Sequence, residues 1–284
     1  MSNYINDIES AGELARLLKQ SILLDACRPA IPRAFQGRTF GSILDIGCGP
    51  GSWAINVATL FPDADVIGID LSQVMIEYAK ARASVLPEKN VCFEVKDALN
   101  PLHFPFENDD YDFINLALAS SWVPSVAAWM QLLQQCFAMA QRGGVVVVTE
   151  SEIALTNSQA LNRLQTIILA AFQANGRALS PGNHFGVATH LGRTLRAAGF
   201  QQVAIEVNTF DFSYYNQMEN MAWRDTIPIL IYETKKFLLD QGVTTEKELE
   251  EVAYQAQIEM YQEDFCGIAP LYTFTGVKEA AKDA

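Results

Sequence analysis

The chain has 284 residues, half of them hydrophobic, and a net charge of −13. That length buries roughly 75% of the surface exposed by the unfolded chain, enough for one large domain or a domain with a lid. Nucleic acid is not expected as a partner, because polyanion binding replaces counterions with clustered Lys and Arg and no such cluster occurs. From the N-terminus, Ile8, Ala11, Leu14, Leu17, Leu18 and Ile22 recur at helical spacing, which predicts an amphipathic helix over 8–26. Strand-like and helical segments then alternate, with strands at 42–46, 65–69, 91–95, 111–116 and 143–149 and helices at 52–60, 73–84 and 125–140. Val145–Val148 is an unbroken apolar run, as in a strand covered on both faces. The rhythm predicts an α/β fold, a doubly wound sheet with helices on both sides.

After Glu150 the rhythm breaks. A helix over 158–174 stops at Asn175-Gly176, a Gly/Pro-rich loop covers 180–186, and a helix over 188–198 stops at Gly199. Residues 202–207 alternate like a strand. An aromatic-rich insertion over 210–268 follows. Its second helix opens on the capping-box pair Thr245 and Glu248 and carries Leu249, Val252, Ala253, Ala256 and Met260 on one face. Residues 270–278 read as a last strand. The expected organisation is an N-terminal helical cap (1–38), a core (39–209) carrying a helical insertion (152–187), a helical lid (210–268), and a last strand with tail (269–284).

Cysteines 27, 48, 92, 136 and 266 are odd in number, widely spaced and without a CxxC pair, so neither a disulfide framework nor a zinc site is indicated. Cys92 and Cys136 read as small core residues. No apolar stretch reaches the ~18 residues of a membrane span, and Met1–Asp7 show no leader-like pattern. A cytoplasmic protein with reduced thiols is the expectation.

The run Ile43-Leu-Asp-Ile-Gly-Cys-Gly-Pro-Gly51 describes a buried strand, a glycine turn and a helix start. Val66-Ile-Gly-Ile-Asp70 then places an acid at the end of the next strand, ~20 residues on. Such a unit suits an adenosine-containing ligand: glycines let backbone approach closely, and the acid accepts from a ribose diol. Asp45 precedes the first glycine and Asp97 follows the third strand. Asp112-Phe-Ile-Asn115 lies on the fourth, and Arg142-Gly-Gly144 precedes the fifth.

This set resembles the class I S-adenosylmethionine-dependent methyltransferases, and Phe104-Pro-Phe-Glu-Asn-Asp-Asp-Tyr-Asp112 is similar to a segment of their ubiquinone/menaquinone-type small-molecule branch. The likeness covers 41–150 and, more weakly, 188–207. It implies a Rossmann-like, seven-stranded, mostly parallel sheet with an antiparallel last strand, and S-adenosyl-L-methionine as cofactor. By the same resemblance, Gly47 and Gly49 lie against the methionine part, Asp70 bonds the ribose hydroxyls and Leu71 packs on adenine. Asp97 and Ala98 meet the adenine edge, and Asn115 lies where the fourth strand meets the methionine ammonium. A dinucleotide fingerprint would need glycine where Ser52 stands and would leave Asp45 and Asp97 unexplained.

Around this frame, Asp45 either organises the loop or faces the ligand ammonium. Gln20 reaches the ligand carboxylate if the first helix folds over the site, and is an exposed glutamine if it does not. The catalytic candidates are His184, in the Gly/Pro-rich loop, and Glu150, which with Glu152 follows the fifth strand. Solvation or helix capping is the plain alternative for either acid. His103, His184 and His190 are too scattered for a metal site. Trp53 reads as core. Tyr214, Tyr215, Trp223 and Tyr232 either wall a pocket or pack inside helices. The expected activity is in-line methyl transfer to O, N or C of a small, partly apolar acceptor, with no membrane span and with a homodimer left open. The alternatives are a same-fold enzyme using the cofactor for a rearrangement, and a non-catalytic cofactor-binding partner protein.

Overall fold

A computed structural model describes residues 5–87, 90–100 and 111–279. His103 and most of the segment from Phe104 to Asp112 lie outside the described residues. Five parallel strands alternate with helices: β1 (Ser42–Ile46), β2 (Asp65–Asp70), β3 (Val91–Val95), β4 (Tyr111–Ala117) and β5 (Ala140–Ser151). The two-residue β6 (Leu155–Thr156), β7 (Gln201–Asp211) and β8 (Gly267–Val277) complete a sheet ordered β3-β2-β1-β4-β5-β8, with β7 and β6 on opposite sides of β8. β8 runs antiparallel to its neighbours β5, β6 and β7. The short β6 is an eighth strand that two residues were too few to signal.

Period-two alternation divides the sheet between two apolar layers. Leu44, Ile46, Ile114, Val146 and Val148 pack with α4 (Val126–Met139) and α6 (Val187–Ala198). Ile43, Val66, Phe113, Val145 and Val147 face the other way, toward α2 (Ser52–Leu60) and α3 (Gln73–Ser84). A third cluster joins α5 (Gln159–Ala174), α7 (Gln217–Asp240) and α8 (Glu246–Met260) to Leu23 of α1 (Ala11–Cys27). The two helical stretches that the sequence sets apart, around 158–174 and 210–268, therefore share one core. Their connection to the sheet is tight: Asp211 at the end of β7 pairs with Ile268 near the start of β8, so residues 212–266 leave and rejoin the sheet at neighbouring points.

Cys136 is fully buried, but Cys92 is exposed, because β3 is the sheet's edge strand and only Phe93 of its central residues turns inward. No described helix is long and apolar enough to cross a membrane.

Candidate functional site

The carboxyl edge of the sheet is shaped first by glycine. After β1 the chain turns through Gly47, Gly49 and Gly51 at φ +70°, +52° and +76°, a region open to glycine at no steric cost. The N–H groups of Gly47 and Cys48 donate to the Ile69 carbonyl at 2.8 and 2.9 Å, tying the turn to β2. A side chain at Gly51 would meet the Phe93 ring at 2.7 Å, so α2 can start only where it does with glycine there. Asp70 ends β2 and draws the turn together: Gly49 N–H donates to its Oδ2 and Ser72 N–H to its Oδ1, each at 2.9 Å. Burial raises its carboxyl above the usual range, and these backbone donors oppose the rise.

Beneath the turn, Asn115 Nδ2 donates to Asp45 Oδ1 at 2.8 Å. Asp45 is fully enclosed and burial pushes it up to about 7, against the Asn115 hydrogen bond and the nearby Arg28. Arg28 is itself buried, which lowers its pKa, while Asp25 and Asp45 pull the other way. The Asn115 Oδ1 is buried without a partner among the described residues.

Between this edge and the helices above it lies a cavity of about 260 Å³. It crosses the sheet from Asp70 and Ser72, past Gly47 and Gly49, to Leu118, Ser120, Ser121 and Glu150. Leu17 and Gln20 of α1 and Leu230 and Phe237 of α7 close over it. Leu118 holds φ +53°, unusual for a branched side chain, and its N–H bonds to the Thr149 carbonyl. Strain of that kind is worth on the order of 1–3 kcal/mol and collects at functional sites. The turn it makes aims Ser120 at Glu150, whose Oε1 accepts from Ser120 N–H at 3.1 Å and Oε2 from Ser120 Oγ at 2.9 Å. Burial nonetheless pushes Glu150 up to about 8.

Of the residues singled out from the sequence, Gln20, Gly47, Gly49, Asp70 and Glu150 share this cavity wall. Asp45 and Asn115 sit behind it, bonded to each other. Leu71 and Ala98 are partly buried beside the ends of β2 and β3, and Asp97 Oδ1 accepts from Leu99 N–H at 2.9 Å within its own loop; none of the three lines the wall. His184 does not line it either: its ring faces Ser180 Oγ at 3.4 Å, and it is the next residue, Phe185, that enters the cavity. Glu152 caps α6, accepting from Phe185 and Ala188 N–H. Trp53 is core, stacked on Phe113. Tyr215 and Tyr232 are exposed, while Tyr214 and Trp223 pack in the third cluster.

Sequence reasoning missed the buried pair Glu13 and Arg16, which also faces the cavity. Arg16 Nε and Nη2 each donate to one Glu13 oxygen at 2.7 Å. The signal was present as opposite charges three apart on the predicted first helix, which more often marks a solvated face. Ser120 and Ser121 carried no signal beyond their place after β4. Among the described residues no cluster of His, Cys, Asp and Glu suits a metal ion.

Comparison with known proteins agrees with this geometry. Residues 43–144 match the family model described as a methyltransferase domain. The chain is 32% identical over 183 residues to trans-aconitate 2-methyltransferase of Methylobacterium radiotolerans, covering 63% of each chain. It is 32% identical over 111 residues to demethylmenaquinone methyltransferase of Lactococcus lactis, covering 39% of this chain and 42% of that one. The matches thus span less than two thirds of either relative. Two solved structures share the fold. One is Haemonchus contortus phosphoethanolamine N-methyltransferase 2, with TM-score 0.53 and 18% identity, over 93% of this chain and 53% of that one. The other is the YcgJ protein of Bacillus subtilis, with TM-score 0.51 and 15% identity, over 93% and 98%. Residues 43–144 thus match a methyltransferase domain, and the parallel sheet with its antiparallel β8 and the glycine turn support one of the class I S-adenosylmethionine-dependent type.

Proposed function

We propose that this protein transfers the sulfonium methyl of S-adenosylmethionine to a small, partly apolar acceptor. The observation that carries the reading is the single cavity joining Asp70 and the glycine turn at one end to Glu150 at the other. The residues present fit the donor. Gly47 and Gly49 leave the wall bare of side chains where its methionine part would lie. The Asp70 carboxylate suits a ribose diol, and Leu71, Asp97 and Ala98 stand at the adjoining strand ends for adenine. The unpartnered Asn115 oxygen, backed by Asp45, suits the ammonium, and Gln20 suits the carboxylate.

When bound, the donor supplies an activated methyl on a cationic sulfur. The chain's own part is then to position and enclose. Holding two reactants in line can contribute up to ~7–11 kcal/mol, and α1 and α7 exclude water from the reacting atoms. Once ionised, which its burial delays to about pH 8, Glu150 on the β5 side of the wall accepts the proton that an O–H or N–H acceptor gives up. With His184 outside the wall, Glu150 is the base candidate. The reading places the protein in the cytoplasm, acting on free small molecules rather than nucleic acid, which its net charge of −13 supports, with a homodimer compatible with it.

Calorimetric titration with S-adenosylmethionine tests the donor site. Asp70→Ala should weaken binding tenfold or more, about 1.4 kcal/mol; unchanged affinity would remove Asp70 from the site. Incubation with methyl-labelled donor and fractionated metabolites should label a small molecule. A product of unchanged mass would instead indicate a rearrangement, and a stoichiometric co-purifying partner without turnover would indicate a binding protein.

A further inference from the structure

Among the described residues the cavity wall carries four ionisable side chains: Glu13, Arg16, Asp70 and Glu150. The one cation among them, Arg16, gives its Nε and Nη2 to Glu13, which takes a further hydrogen bond from Asn6 at 3.0 Å. Both partners are buried, so solvent does little to loosen the pair. Behind the wall, Arg177 donates to the Ser121 carbonyl and to Asn175, and Arg28 faces Asp25 and Asp45.

Backbone N–H groups are the other usual anion binders, at helix N-termini and turns. Along this edge the chain's own carboxylates hold them. Glu9 accepts from Gln73 and Val74 N–H at the start of α3. Glu152 accepts from Phe185 and Ala188 N–H at the start of α6. Glu150 accepts from Ser120 N–H in the turn after β4. The remaining wall at the acceptor end is apolar, formed by Ile168, Phe172, Phe185, Leu230, Phe237 and Leu238, with Thr234 and the two serines interspersed.

Resting on the methyl-donor reading above, we propose that the acceptor is an uncharged or cationic, largely apolar molecule that presents an O–H or N–H to Glu150, and that the cavity rejects carboxylate acceptors. Above about pH 8, where Glu150 is ionised, a carboxylate brought here would lose its hydration, find among the described wall residues no cation that lacks a carboxylate partner, and lie beside Glu150 and Glu13. An alcohol or ammonium would donate to Glu150 and bury its hydrocarbon against the phenylalanines.

The test, run at about pH 9 so that Glu150 is ionised, uses the full chain saturated with S-adenosylhomocysteine and three probes of one skeleton: 3-phenylpropan-1-ol, 3-phenylpropylamine and 3-phenylpropanoate. Trans-aconitate serves as a tricarboxylate probe for turnover with methyl-labelled donor. The alcohol and the amine should bind at least tenfold more tightly than the carboxylate, and trans-aconitate should gain no label. Glu13→Gln, which releases Arg16, should narrow the carboxylate's disadvantage at least threefold. Glu150→Gln should weaken the amine more than the alcohol and serves as the second variant if Glu13→Gln does not fold. Equal or tighter carboxylate binding, no discrimination among the three probes, or label in trans-aconitate would overturn the proposal while leaving the donor reading in place. Failure of S-adenosylhomocysteine to bind at all would remove the donor reading, and this proposal with it.

Discussion

Glu150 is a carboxyl whose proton affinity is set by its burial. Its side chain leaves water on folding, and two hydrogen bonds from Ser120 do not offset that desolvation, so its pKa moves from 4.5 to about 8. The folded state therefore holds this proton between about pH 4.5 and 8, where the unfolded chain has released it. By linkage this contribution to stability is full below about 4.5 and is lost as pH rises through about 8. Glu150→Gln keeps the shape and does not titrate. Thermal unfolding without added ligand should show the variant gaining on the parent by about 1–4 kcal/mol between pH 5 and pH 8.5. A difference that stays constant with pH would mean that Glu150 is ionised in the folded protein already at pH 5. The residues legible from sequence were those whose roles depend on local chain geometry. Gly47, Gly49 and Asp70 announce a strand, a turn and a second strand by spacing alone. Glu13, Arg16 and Ser120 become wall residues only through how α1 and the β4 turn pack, which no local pattern records. His184 shows the converse: its loop does reach the cavity, but one residue of backbone direction puts Phe185 there instead.

At the scale of elements, the parallel core was legible because alternating apolar runs and helix stripes are dictated by burial on both sheet faces; α2 and α3 begin and end where the spacing places them. The ends of β7 and β8 were not, because Asp211 and Gly267 belong to strands only by pairing with each other's strand. α7 was obscured for a different reason. It runs unbroken for 24 residues across Pro228, a residue that normally ends or kinks a helix. Proline lacks the N–H that would bond the Arg224 carbonyl four residues back. Gln257 of α8 supplies a replacement, its Nε2 donating to that carbonyl at 3.2 Å. The sequence cost of Pro228 is thus met by a partner about 30 residues away. Gln257→Ala should destabilise by about 1 kcal/mol in urea unfolding. In a Pro228→Ala background, where the helix bonds its own carbonyl, the same change should cost at least ~0.5 kcal/mol less. Purely additive effects would show that Gln257 stabilises the α7–α8 contact in some other way.

Across the whole molecule, the N-terminal segment ties the carboxyl edge of the sheet to α7. Ile8 accepts from Ser72 Oγ at 2.9 Å, Glu9 occupies the N-terminus of α3, and Ser10 Oγ donates to Glu233 of α7 at 2.8 Å. Between these ties Ile5, Asn6 and Ile8 form part of the cavity wall. A side chain at Gly12 would overlap the Glu233 carboxylate, so glycine there lets α1 lie against α7. The space of about 260 Å³ falls just below the ~300–1,000 Å³ usual for ligand pockets. Release of a ligand as large as the proposed donor is then expected to require this segment to lift from α3. Glu9 lies outside the cavity wall, so its loss should leave the ligand's own contacts intact while weakening the closed state. A carboxylate at a helix N-terminus is worth about 0.3–1 kcal/mol, and hydrogen bonds to a charged group add to it. A loss of about 1–2 kcal/mol corresponds to roughly a 5- to 30-fold shift toward the open form. Stopped-flow release of S-adenosylhomocysteine from Glu9→Ala should accelerate by that factor, and from Glu9→Gln by less, because the amide oxygen still accepts from the α3 N–H groups. Identical release rates in parent and both variants would mean that the ligand leaves past α7 instead, beneath Leu230 and Phe237, with the N-terminal segment held down throughout.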